Sequence, residues 1–126
     1  MAVTPHDLVV EAKSRIKEVT TAEAQAQLGK RIIIDVREYD EYAAGHLPGA
    51  INIPRGVLEF KIGMVPECAN KDGAFLIYCR TSGRAALSAV QLQKLGYGNI
   101  LSMAGGFEAW NGENRPTEKP EPINFE

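Results

Sequence analysis

Six consecutive residues, Cys79-Arg80-Thr81-Ser82-Gly83-Arg84, bring together a thiol, two hydroxyls, two guanidinium groups and a glycine. They follow an apolar run, Ala74 to Tyr78, that reads as a buried strand, and they precede apolar residues at helical spacing. In open α/β sheets, ligands bind outside the carboxyl ends of the strands. A tight turn from strand end to helix start directs successive backbone N–H groups at one point. That nest, with the helix N-terminus, favours an anion. A cysteine sulfur at its centre is expected to move toward thiolate, from an ordinary pKa of about 8.5 into the ~3.5–7.5 range. Gly83 allows backbone angles that a Cβ resists. Thr81 and Ser82 offer hydroxyl donors to a sulfur anion, and Arg80 and Arg84 offer charge-assisted contacts to an anionic substrate. A cysteine that only fills a core needs no such polar and cationic sequel. Cys79 is therefore expected to be the reactive group, with Arg80, Thr81, Ser82, Gly83 and Arg84 as its substrate-binding loop.

The elements that must position this loop can be read around it. Ile32-Ile33-Ile34, ending in Asp35-Val36-Arg37, is a continuous branched run, the mark of a strand covered on both faces as in a parallel sheet. Ala50 to Ile53 and Asn99 to Met103 read as further strands, and Ile16 to Val19 as a short one. Helices are expected after Thr4-Pro5, after Thr20 with Glu23 three residues on, from Glu38 to Ala44, and from Gly83 to Leu95. Val57 to Ile62 reads as a helical turn, and Gly105-Gly106 as a turn into a short helix carrying Phe107 and Trp110. Strands alternating with helices predict an α/β fold around a mostly parallel sheet. Pro116, Pro120 and Pro122 among acids and polar groups predict an irregular tail.

The chain has 126 residues, enough for one domain with a real core. Its 14 Lys and Arg against 16 Asp and Glu leave a formal charge of −2, so no basic field points to nucleic acid. No apolar run approaches the ~20 residues that span a bilayer, so no membrane partner is expected. The first residues lack the apolar centre of a secretion signal. With two cysteines, one in a reactive setting, a reducing and cytoplasmic location is expected.

Three segments together resemble a rhodanese-like domain of the single-domain sulfurtransferase family. They are Ile34-Asp35-Val36-Arg37-Glu38 with Glu41 and Gly45-His46-Leu47-Pro48-Gly49-Ala50-Ile51-Asn52-Ile53-Pro54; Tyr78 to Ala86 around the cysteine; and Gly96-Tyr97 with Leu101 to Trp110. The resemblance runs from about Ile16 to Gly112. It divides the chain into an N-terminal helical extension (1–15), the rhodanese-like domain (16–112) and a C-terminal tail (113–126). It implies a three-layer fold with a central, mostly parallel sheet of about five strands flanked by helices. It also implies that Cys79 takes sulfane sulfur from thiosulfate or a low-molecular-weight persulfide, holds it as a persulfide, and yields it to a thiol, cyanide or a thioredoxin-like protein. No cofactor or metal enters that cycle. Asp35 is implied to support the loop and Arg37 to make structural ion pairs, with Glu41 a candidate partner.

The remaining residues carry less. His46 sits in a turn and His6 near the start, and neither is close to Cys79 in sequence, which argues against a Cys–His protease or acyl transferase. Cys68 reads as a loop or half-buried residue, with a resolving thiol as the alternative. Two cysteines without nearby histidines fall short of a zinc set. Two other functions stay open. A phosphatase or arsenate reductase also sets a cysteine below an arginine in an anion loop, but its signature holds five residues between them, where Cys79 and Arg84 are separated by four. A non-catalytic interaction or regulatory domain is the other; such modules often lack the cysteine that this chain keeps.

Overall fold

The computed structural model describes residues 2–120. The two branched runs lie at its centre as neighbouring strands: β2 (Ile32–Asp35) pairs with β4 (Ala74–Tyr78), Ile34 in register with Ile77 and Asp35 with Tyr78. β1 (Lys17–Val19), β3 (Ile51–Asn52) and β5 (Asn99–Met103) complete a sheet of order β1-β5-β4-β2-β3, in which every pairing is parallel. All strands therefore end at one edge. β3 is shorter than the run Ala50 to Ile53 suggests: the Ala50 N–H turns back to Leu47 O, and Pro54 follows directly after Ile53, whose N–H donates to Asp35 O of β2.

Alternate side chains of the central strands go to opposite layers. On one face Ile34, Ile77 and Ile100 meet Ala85, Ala89 and Leu92 of α5 (Gly83–Lys94), with Leu58 and Ile62 from the α4 region (Leu58–Lys61 and the turn after it). On the other, Ile33, Leu76, Leu101 and Met103 meet Ala24 of α2 (Thr21–Ala26) and Trp110 of α6 (Gly106–Gly112). Truncating a buried leucine such as Leu76 to alanine in such a core costs about 2–5 kcal/mol.

The helix starts follow their capping residues. Thr4 accepts from the Asp7 N–H while the Asp7 carboxylate accepts from the Thr4 N–H, opening α1 (Pro5–Lys13); Thr20 and Glu23 do the same for α2. α1 packs against α5. α3 (Tyr39–Ala44) follows β2 across a short turn, with Glu41 accepting from the Glu38 N–H.

The segment after α6 runs back across the domain. Trp110 Nε1–H donates to Pro116 O at 2.7 Å, and His46 and Glu118 exchange backbone hydrogen bonds in an antiparallel bridge. The Glu118 carboxylate also accepts from the Gly49 N–H. Apart from that bridge the segment has no helix or strand as far as Pro120, as expected, and these bonds hold it against the domain; Pro122 and the rest of 121–126 lie outside the described residues.

Candidate active site

Cys79 is the first residue after β4, and its side chain lies in the same layer as Ile77, so the strand's alternation buries it to 1% exposure. The chain then turns into α5, whose Ala85 N–H donates to Cys79 Sγ at 3.3 Å. Burial pushes the Cys79 thiol pKa up, while the N–H groups of Ala85, Thr81 and Arg84 and the Arg84 guanidinium pull it down. Burial wins. Backbone N–H groups do face the sulfur, but the depressed pKa expected from them is absent, because a sulfur so far from water loses more hydration than these donors restore.

The loop is held from below by α6. Phe107 N–H donates to Cys79 O at 2.8 Å and Glu108 N–H to Arg80 O at 2.9 Å, so the first two carbonyls of the loop dock on the helix's free N–H groups. The approach is close enough to demand glycine: a Cβ on Gly106 would lie 2.4 Å from Thr81 O, and its φ is +58°.

The two loop arginines are both engaged by acids. Arg84 makes a two-pronged ion pair with Glu41 of α3, at 2.9 and 3.1 Å. Arg80, with its side chain 70% exposed, lies 3.4 Å from Glu108 of α6. Hydrogen bonds from the Arg84 guanidinium and from the Glu38 N–H outweigh partial burial and hold the Glu41 carboxyl down at about 2. Thr81 is exposed, and Ser82 Oγ accepts from Lys13 Nζ at 2.8 Å; the sulfur's bond comes from the backbone instead.

Asp35 and Arg37 pair in the layer that holds Tyr78, on the other face from Cys79. Asp35 is fully buried and accepts from the Arg37 N–H, from Arg37 Nε and terminal nitrogen, and from the Tyr78 hydroxyl at 2.6 Å. Arg37 also donates to Gly45 O and lies over the Phe107 ring at 4.3 Å. The Arg37–Glu41 pair that the resemblance offered as a candidate does not form. Arg37 turns back to Asp35 in the bend after β2, leaving Glu41 to Arg84. An open cleft of about 610 Å³ lies beside the loop between these groups, with Arg37, Glu41, Arg80, Phe107, Glu108 and Asn111 in its wall.

Cys68 is fully buried, and burial pushes its thiol up to about 11. Both cysteines are free. His46 stacks on Tyr42 with ring centroids 3.8 Å apart, and its ring nitrogen Nδ1 meets Tyr42 O. Among the described residues, no group of three or more His, Cys, Asp or Glu side chains is placed to hold a metal, and no helix is long and apolar enough to cross a membrane. Three site features went unread in the sequence: the Lys13–Ser82 contact, the Glu41–Arg84 pair and the Tyr78–Asp35 bond. Only the last had a usable signal, since neighbouring parallel strands that end together place their final residues side by side.

A five-stranded parallel sheet between helical layers, with a buried cysteine opening the short loop at its carboxyl edge, defines the class of this protein. The sequence matches the family described as Rhodanese-like domain over residues 19–113, and the chain belongs to that family. A sulfurtransferase of Allochromatium vinosum is 31% identical over 90 residues, 71% of this chain and 80% of its own. The human single-domain sulfurtransferase superposes with a TM-score of 0.70 at 27% identity, covering 76% of this chain and 96% of its own. A Rhodopseudomonas palustris protein of unknown function, described as a possible tyrosine phosphatase, superposes with a TM-score of 0.85 at 31% identity, covering 94% of this chain and 96% of its own. Family and relatives support a sulfurtransferase-type function.

Proposed function

We propose that this protein is a sulfurtransferase that carries sulfane sulfur on Cys79, from thiosulfate or a low-molecular-weight persulfide to a thiol, cyanide or a thioredoxin-like protein. The observation that carries the reading is the Ala85 N–H aimed at Cys79 Sγ from the first turn of α5. A donor so placed stabilises negative charge on sulfur as an oxyanion hole does on oxygen, and the terminal sulfur of a persulfide bears such a charge.

The cycle needs no outside oxidant. The Cys79 thiolate attacks the outer sulfur of thiosulfate; a new S–S bond forms, the donor's S–S bond breaks, and sulfite leaves with its electron pair. With a persulfide donor, the proton of the Cys79 thiol passes to the departing thiolate. In the second half, the acceptor's thiolate or cyanide attacks the terminal sulfur and Cys79 leaves as thiolate. Arg80, the more exposed loop cation, meets an anionic donor at the cleft, while Arg84 reaches it by exchanging its bond to Glu41. Asp35 and Arg37 hold the loop's floor rather than touching the donor.

The phosphatase reading is favoured by one observation, the description of the Rhodopseudomonas neighbour. Against it stand the four-residue spacing from Cys79 to Arg84 and the commitment of Arg84 to Glu41. The test is to incubate the full chain with thiosulfate, remove the donor and weigh the intact protein, with an aryl phosphatase assay alongside. The sulfurtransferase gains one sulfur, mapped to Cys79 and released by cyanide as thiocyanate. Ready turnover of aryl phosphate with no sulfur gained would replace this reading with the phosphatase.

A further inference from the structure

Lys13 ends α1, a helix outside the matched family region of residues 19–113. Its ammonium nevertheless reaches the loop that follows Cys79. Nζ donates to Ser82 Oγ at 2.8 Å and lies 3.6 Å from Glu18 Oε2. The lysine is held in place from the sheet side as well. Glu18 Oε2 is buried and has no hydrogen-bond partner, and the same is true of Ser102 Oγ, on the residue in register with Glu18 across β1 and β5. A buried carboxylate oxygen without a hydrogen-bond donor gains from a neighbouring cation, and the Lys13 ammonium is that neighbour. The Glu18 contact therefore favours the position from which Lys13 donates to Ser82.

A second contact joins the same two elements. Val9 Cγ2 sits 3.3 Å from where a Cβ on Gly83 would be, so α1 touches the loop at two successive residues. These two residues precede Arg84 and Ala85, whose N–H groups act on Cys79. The other charges round the sulfur are spoken for elsewhere: Arg84 by Glu41, Arg80 by Glu108, and Arg37 by Asp35.

We propose that Lys13 is a positioning residue for the Cys79 loop, fixing Ser82 so that the backbone N–H groups behind it stay aimed at the sulfur. The N-terminal helix is thereby a working part of the site. The inference rests on the sulfurtransferase reading only for its consequence in sulfur transfer; its effect on the thiol stands apart.

The test therefore has two readouts. The first is the rate of Cys79 alkylation by iodoacetamide against pH, in a Cys68→Ala background so that one thiol reports. With the ammonium gone, the loop's N–H groups drift from the sulfur and the thiolate is less favoured. Lys13→Met is expected to move the profile to higher pH and to slow alkylation at pH 7 about three- to tenfold. Lys13→Arg keeps a donor and a charge and is expected to restore most of the rate. Ser82→Ala should reproduce the Lys13→Met shift, and the double variant should be no worse than either single, since both cut one link. Glu11→Ala, on the same helix, should leave the profile in place.

The second readout is the single-turnover rate of sulfur uptake from thiosulfate, expected to fall in parallel. If the Lys13→Met profile superposes on the parent profile, or if Lys13→Arg is as slow as Lys13→Met, the proposal is wrong, whether or not the melting temperature has dropped. If the parent takes up no sulfur at all, the sulfurtransferase reading fails, while the alkylation profiles still decide the role of Lys13.

Discussion

Arg84 and Glu41, 43 residues apart, meet end-on with two hydrogen bonds of 2.9 and 3.1 Å, so the cation closing the candidate loop is already occupied. An anionic donor must compete with a carboxylate for it. Glu41→Gln weakens that competitor and is expected to lower the KM for thiosulfate several-fold, while Arg84→Ala raises it about 10- to 100-fold through loss of a charge-assisted contact. Steady-state kinetics with thiosulfate and with an uncharged donor analogue check this; equal effects on both donors would show that the pair does not act through charge.

The same pair sets an acid limit. A carboxyl held at about 2 stays ionised far below the ordinary value for glutamate. Its folded pKa is the lower one, so its contribution to stability is complete above the unfolded value of about 4.3 and fades as pH falls toward 2. Following the Glu41 side-chain carboxyl by NMR during an acid titration should show a midpoint well below 4, and Arg84→Ala should return it toward the ordinary range.

Burial of Cys79 predicts an alkaline profile for its chemistry. Because its thiol is pushed up, alkylation and sulfur uptake should still be accelerating at pH 8.5, where an ordinary cysteine thiol is half ionised. A plateau reached below pH 7 would mean that the loop's N–H groups outweigh burial after all.

The two cysteines should separate cleanly. Cys79→Ser removes the sulfur that attacks the donor and is expected to abolish persulfide formation with little loss of fold. Cys68→Ala is expected to keep most activity, since that thiol is buried and held at about 11. Its cost should appear in stability instead, at about 1 kcal/mol for the shed sulfur contacts. Intact-mass analysis and urea unfolding of both variants give the answer.

Gly106→Ala should be among the most damaging single changes in the molecule. The new methyl would overlap Thr81 O and the Arg80 carbonyl group, on a backbone at φ +58°. A loss of at least ~2 kcal/mol is expected from strain and displacement together. Sulfur uptake should fall with it, because Phe107 and Glu108 can no longer hold the loop's first carbonyls. Urea unfolding and single-turnover uptake measure the two losses.

What the sequence reveals here depends on distance along the chain. β4 and β5 have the ends that their apolar runs suggest, and α5 begins at the expected glycine, because burial on both faces and helical spacing are local patterns. Thr4 and Thr20 cap their helices through partners three residues away. The placement of Cys79 at a strand end followed from the same local reading. Ion-pair choice did not. The family resemblance offered Glu41 as a partner for Arg37, but Arg37 turns back to Asp35 two residues away, and Glu41 pairs with Arg84 across the fold. Lys13 lies 69 residues from Ser82, and nothing local in the sequence marks their contact. The direction of the Cys79 thiol also escaped the sequence: charges and dipoles can be read from residue types, whereas the depth of a side chain requires the packed layers above and below it.

The sheet's strand order carries one more consequence, for how the chain comes to be folded. β1 pairs only with β5, Lys17 beside Leu101 and Val19 beside Met103, so the first strand finds its place only after the last has been made. During synthesis, β1 has no strand partner until β5, 84 residues on from Lys17 to Leu101, has been made. Closing so long a loop is slow compared with forming the local helices. The β1–β5 pairing is thus the longest loop closure in the sheet, and the support that Lys13 and Glu18 bring to the loop depends on a strand formed near the domain's other end.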